Sequence, residues 1–66
     1  MEATQSPVVV QDGEGHDLYV YRRNGHLFAR VWHSDKGEWT IDTVDGPIYR
    51  ESSRQAAVER CERLAA

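Results

Sequence analysis

The stretch Leu18-Tyr19-Val20-Tyr21-Arg22-Arg23-Asn24-Gly25-His26-Leu27-Phe28-Ala29-Arg30-Val31-Trp32-His33 decides the fold. Its two halves are β-branched and aromatic, the composition of strands. Asn24-Gly25 between them tolerates the positive φ that a two-residue hairpin turn needs. Pairing through that turn sets Tyr21 opposite Phe28, Tyr19 opposite Arg30 and Leu18 opposite Val31. Side chains alternate along a strand, so the hairpin has two chemically distinct faces. One collects Leu18, Val20, Leu27, Ala29 and Val31; the other collects Tyr19, Tyr21, Arg23, Phe28, Arg30 and Trp32.

Working outward, Ser34-Asp35-Lys36-Gly37 reads as the next turn and Glu38 to Val44 as a third strand. Asp45-Gly46-Pro47 closes that strand, and Ile48-Tyr49 adds at most a short fourth piece. The length of the 34–37 loop decides which face the third strand joins. A five-residue loop pairs Trp32 with Glu38 and gathers Leu18, Val20, Leu27, Ala29, Val31, Trp39 and Ile41 into one core. A four-residue loop instead sends Trp39 and Ile41 to the aromatic side, since a one-residue slip reverses every side chain. The five-residue version is preferred because it leaves Thr40 and Asp42 where polar groups stay wet.

The C-terminal stretch reads as a helix. Ser52 and Gln55 have the spacing of a reciprocal capping box. Ala57, Cys61 and Leu64 recur at i, i+4 and i+7 with Val58 beside them, one apolar stripe against a polar face. Glu59 and Arg63 form an i,i+4 pair on that polar face. Leu64, the largest side chain of the stripe, is expected in the core, where its truncation to Ala would cost about 2–3 kcal/mol. The expected architecture is α+β: a three-stranded antiparallel sheet, with at most a short extra strand, and one C-terminal helix packed on one face. It occupies residues 17–66. Residues 1–16, which hold Glu2, Asp12 and Glu14 but no Lys or Arg, read as a flexible acidic leader, with Val8-Val9-Val10 as a short edge strand at most.

Sixty-six residues, 39% hydrophobic and 29% charged with a net charge of -3, make one small domain. A domain of this size buries only about 60% of its unfolded surface, which excludes a large enclosed active-site cavity. No apolar run reaches the roughly 18 residues of a membrane span, and the first residues lack the basic start of a signal peptide. One cysteine, Cys61, suits a reducing compartment, so a cytoplasmic protein is expected.

The chemistry-bearing residues do not assemble into a catalytic pattern. His16, His26 and His33 lack metal-ligand spacing. Gly13 and Gly15 begin a nucleotide-loop pattern whose third glycine is replaced by Leu18. Asp12, Glu14 and Asp17 lack both the central glycine and the final glutamate of a calcium loop. Ser52 and Ser53 read as caps and Cys61 as a small buried hydrophobe. A non-enzymatic protein without cofactor or metal is expected. The feature above background is the face of Tyr19, Tyr21, Arg23, Phe28, Arg30 and Trp32, because an uncovered aromatic patch marks a binding surface. Its expected partner is a protein, a second copy of the chain included, and nucleic acid is the alternative; a membrane is not expected.

Tyr21-Arg22-Arg23-Asn24-Gly25 followed by Phe28-Ala29-Arg30-Val31, a later strand and a terminal helix resembles the small arm-type DNA-binding domains of tyrosine recombinases. The resemblance covers residues 18 to 66. It implies a three-stranded sheet whose face away from the helix enters the DNA major groove, with Tyr21, Arg23, Phe28 and Arg30 as the reading residues. The third strand departs from the family in carrying Glu38 and Asp42, with Asp45 just beyond, where basic residues belong.

Overall fold

The computed structural model describes residues 6–13, 17–34 and 36–66. Five strands follow one another as β1 (Val8–Asp12), β2 (Leu18–Arg22), β3 (Leu27–His33), β4 (Trp39–Thr43) and β5 (Ile48–Glu51), and the helix α1 (Arg54–Ala65) ends the chain. Each strand pairs antiparallel with the next, so spatial order equals chain order. The α+β class and the C-terminal helix are as expected, but the sheet has five strands rather than three. The 17–66 boundary also moves. β1 pairs along its whole length with β2, from Val8 opposite Arg22 to Asp12 opposite Leu18, and Val8 is buried. Residues 1–5 and 14–16 of the expected leader, His16 among them, lie outside the described residues.

Three turns share one geometry. Arg22 N–H donates to the His26 carbonyl at 2.8 Å, Ser34 N–H to Glu38 at 2.9 Å and Thr43 N–H to Pro47 at 3.3 Å. Each closes a three-residue loop whose last residue is Gly25, Gly37 or Gly46, all at positive φ. A type I turn followed by a left-handed glycine is the usual three-residue hairpin connection. In the first hairpin it replaces the expected two-residue turn and shifts the pairing near the turn by one residue. A β-bulge then restores the register: Tyr21 lies opposite Leu27, and Val20 opposite Ala29, with Phe28 as the extra residue. Tyr19–Arg30 and Leu18–Val31 pair as expected.

The bulge exchanges two side chains between faces. Phe28, expected on the aromatic side, turns under the helix and is buried, while Leu27, expected in the core, is exposed. The exchange is favourable because the larger ring is removed from water. Across the next turn Trp32 pairs with Thr40 and Val31 with Ile41, two residues from the expected register. A shift of two preserves which face each residue takes. Ile41 is therefore buried with Val31, and Trp39 packs against the same core.

Val8, Leu18, Val20, Phe28, Ala29, Val31 and Ile41 meet Ala57 and Cys61 of α1 in a single core. Small residues on the helix allow it to sit close to the sheet, and Phe28 and Ile41 fill the space opposite. Ser53 caps the helix, accepting from Ala56 N–H at 3.1 Å, so the cap lies one residue after the expected Ser52. The Gln55 side chain donates to Glu59 at 3.1 Å instead of reaching back to the cap. Arg60 ties α1 to β5: its Nε and Nη2 lie 2.7 and 2.6 Å from one carboxylate oxygen of Glu51, and its guanidinium stands 5.0 Å from the Tyr49 ring. At the other end Ser6 donates to Glu62 at 2.7 Å, and Arg23 Nε donates to the Ser6 carbonyl at 2.9 Å.

Leu64 is not a core residue. It is 37% exposed, because the buried stripe continues from Ala57 through Cys61 to Ala65 rather than turning to position 64. Leu64→Ala is therefore expected to cost about 1 kcal/mol or less, as surface substitutions do. A urea titration checks this, and a loss of about 3 kcal/mol would return Leu64 to the core.

Cys61 is fully buried. Burial pushes its thiol up from 9.0 to about 11, and the Glu62 carboxylate adds to the shift. The folded protein thus holds the thiol proton more tightly than the unfolded chain. The associated stability is present below pH 9 and is lost as pH rises toward 11. Iodoacetamide at neutral pH is expected to leave Cys61 unmodified until denaturant is added. Prompt alkylation of the native protein would mean that α1 is not docked.

Candidate functional site

The helix covers one face of the sheet, and the other is organised in rows by the strand register. The first row runs Val9–Tyr21–Leu27. The second runs Gln11–Tyr19–Arg30–Asp42–Ile48, and the third Trp32–Thr40–Arg50. Alternation from the buried residues of β2, β3 and β4 places all of them on the open side.

Of the residues expected at the site, Tyr19, Tyr21, Arg30 and Trp32 come together. Arg30 lies over the Trp32 ring at 4.5 Å, an attraction between a guanidinium and an aromatic face. Arg30 is also the direct cross-strand partner of Asp42. Phe28 leaves the site through the bulge and lies under the Arg22 guanidinium at 4.6 Å. Arg23 stands in the turn with its Nε on Ser6, away from the aromatic rows. Val9, Leu27 and Ile48, 42%, 39% and 57% exposed, join the face without having been anticipated. Val9 and Ile48 stand in segments too short or too uniformly apolar to carry a period of their own, and Leu27 reaches the face through the bulge that buries Phe28.

Two hollows flank the Tyr19–Arg30 row. One, about 740 Å³ and open to solvent, is lined by Gln11, Asp12, Gly13, Asp17, Tyr19 and Tyr21. The other, about 230 Å³, lies between Leu27, Arg30, Asp42, Thr43 and Val44. Gly13 fixes the wall of the first. Its N–H donates to the Asp17 carbonyl at 2.7 Å, and a Cβ placed there would stand 2.9 Å from both that oxygen and Tyr19 Cε2. Gly13→Ala is therefore expected to displace the Tyr19 ring while the rest of the sheet persists. In a ¹⁵N–¹H spectrum the largest shifts should cluster at residues 11–13 and 17–19. Unmoved Tyr19 resonances would show that the ring does not lie on Gly13.

On the opposite side, His33 and Trp39 stack at 4.5 Å with planes 8° apart, at the end of the sheet near Arg54. Among the described residues no group of three His, Cys, Asp or Glu side chains is placed to hold a metal ion. No described helix is long and apolar enough to cross a membrane. No protein-family model, curated protein or solved structure matches the chain.

Proposed function

We propose that the chain is a non-enzymatic interaction module that binds a protein through the open face of its sheet. The observation that carries this reading is the one-sided cover. Val9, Leu27 and Ile48 remain exposed beside Tyr19, Tyr21 and Trp32, while α1 occupies the other face. An apolar patch with a polar margin is the usual mark of an interaction site. Tyr, Trp and Arg are also the residues whose truncation costs most at interfaces. The charges favour a protein. Arg30 stands opposite Asp42 and Arg50 lies 3.6 Å from Glu38, so the cations of this face are countered by carboxylates. The unpaired cysteine supports placing the module in a reducing compartment, the cytoplasm.

Nucleic acid is the second reading, implied by the resemblance to arm-type domains. It is favoured by the Arg30–Trp32 stack, a platform of the kind on which bases lie. Affinity capture from lysate with and without nuclease, together with salt-titrated duplex binding, separates the two. The protein reading expects a partner that survives nuclease treatment and no steep salt dependence for DNA. Capture lost on nuclease treatment, with DNA affinity falling steeply as salt rises, would replace it with the nucleic-acid reading.

A further inference from the structure

The backbone of β1 carries a second interaction surface, set by which way its amides point. Arg22 N–H bonds to His26, so in β2 the residues Leu18, Val20 and Arg22 turn their backbone groups toward β3. Tyr19 and Tyr21 turn theirs toward β1, because backbone polarity alternates along an antiparallel ladder. Their partners Gln11 and Val9 are therefore the residues that bond to β2. Val8, Val10 and Asp12 point their backbone groups away from the sheet. Consistent with this, the Val8 N–H donates to a local acceptor, Ser6 Oγ, at 3.3 Å. Outward-facing groups remain at the Val8 carbonyl and at both the N–H and the carbonyl of Val10 and of Asp12.

We infer that β1 pairs with β1 of a second copy, antiparallel about a two-fold axis through Val10. In that register Val10 of one copy exchanges two hydrogen bonds with Val10 of the other, and each Asp12 N–H reaches the Val8 carbonyl opposite. Three observations favour a second copy over an unrelated strand. The edge is self-complementary: the outward N–H of Asp12 matches the outward carbonyl of Val8, and the Val8 N–H can exchange its 3.3 Å contact with Ser6 for the Asp12 carbonyl opposite. Charge permits it, since each Asp12 falls opposite Val8 rather than Asp12, and its carboxylate is held by Arg54 at 3.2 Å. Within Val8–Asp12 there is no Lys, Pro or bulge, and the one charge, Asp12, is paired with Arg54. The other edge strand, β5, ends in Arg50 and Glu51. An axis perpendicular to the sheet keeps both helices on one side and joins the two open faces into one surface.

This proposal does not depend on what the open face binds, and the test keeps the two apart. Light scattering after size exclusion, over a concentration series, should show the wild-type mass rising toward twice 7.6 kDa. A synthetic chain N-methylated at Val10 loses only the outward N–H and keeps its side chain and its β1–β2 ladder. It should stay monomeric at every concentration with an unchanged circular dichroism spectrum, whereas Trp32→Ala should dimerise like wild type. Hydrogen exchange of the unmodified protein gives a reading that needs no variant. The Val10 and Asp12 amides should be protected at high concentration and exchange freely on dilution. A wild-type mass fixed at 7.6 kDa up to millimolar concentration would overturn the proposal. So would dimerisation unaffected by N-methylation, or a dimer lost in Trp32→Ala, which would put self-association on the open face. Monomer that binds an extended peptide along β1 would show an edge meant for another chain and overturn it equally.

Discussion

Replacing Phe28 with Ala is expected to cost about 3–5 kcal/mol, the range for truncating a buried aromatic ring. A domain of this length has only about 3–10 kcal/mol in total, so the variant should be largely unfolded or melt far below wild type. The size of the effect follows from the bulge. Phe28 is 4% exposed beside Ala29, which is fully buried, and the ring supplies volume that neither Ala29 nor Ala57 can replace. Loss of the ring also strips the apolar floor from beneath the Arg22 guanidinium, which sits 4.6 Å from it and donates to the Ala65 carbonyl at 3.4 Å. Urea titration followed by far-ultraviolet circular dichroism checks this. A Phe28→Ala protein as stable as wild type would return the ring to the open face and remove the bulge.

Trp32→Ala is expected to do the opposite, leaving the fold and removing the binding. The ring lies on the open face beneath Arg30 and is not part of the core cluster. Its removal forfeits the cation–π contact, about 0.5–1 kcal/mol at an exposed site, and the melting point should fall by only a few degrees. Central aromatic anchors at interfaces cost about 2 kcal/mol or more on truncation, roughly a 30-fold loss of affinity. Tyr21→Ala should behave similarly, with the added loss of its cross-strand contacts with Val9 and Leu27. Titration of the captured partner against both variants gives the comparison. Wild-type affinity in both would place the partner elsewhere on the molecule.

The contrast between these two aromatic residues shows how far the sequence could be read. Alternation from Leu18 to Val20 and from Ala29 to Val31 identified one buried face, and the parity of the third strand survived a loop of a different length. Phe28 could not be placed this way. The letters Asn24-Gly25 serve a two-residue turn and also end the three-residue turn Arg23-Asn24-Gly25, and only the latter needs a bulge. Burial of a phenylalanine instead of a leucine chose between them. The strand count was too low because β1 and β5 draw their stability from pairing with neighbours, not from a periodic pattern of their own. Val8-Val9-Val10 is uniformly apolar, and Ile48–Glu51 is four residues long. Ser52 and Ser53 offer the same capping hydroxyl at adjacent positions, so composition does not fix the helix start. Leu64 was misplaced because a stripe at i+7 and one at i+8 differ by a single step around the helix, and the sheet makes contact with Ala65. At the site, Tyr19, Tyr21, Arg30 and Trp32 are legible from register alone, whereas Val9 and Ile48 join the face because β1 and β5, read from sequence as a short edge strand and a short extra piece at most, pair fully into the sheet.

Site-specific photo-cross-linking tests the central claim most directly, that the partner is a protein and meets the open face. A benzophenone side chain is installed in place of Tyr21, on the open face, or in place of Arg63, exposed on α1. After irradiation in lysate and nuclease treatment, the first protein should carry a discrete covalent protein adduct and the second should not. Adducts formed equally from both positions, only from position 63, or only with nucleic acid would contradict the account.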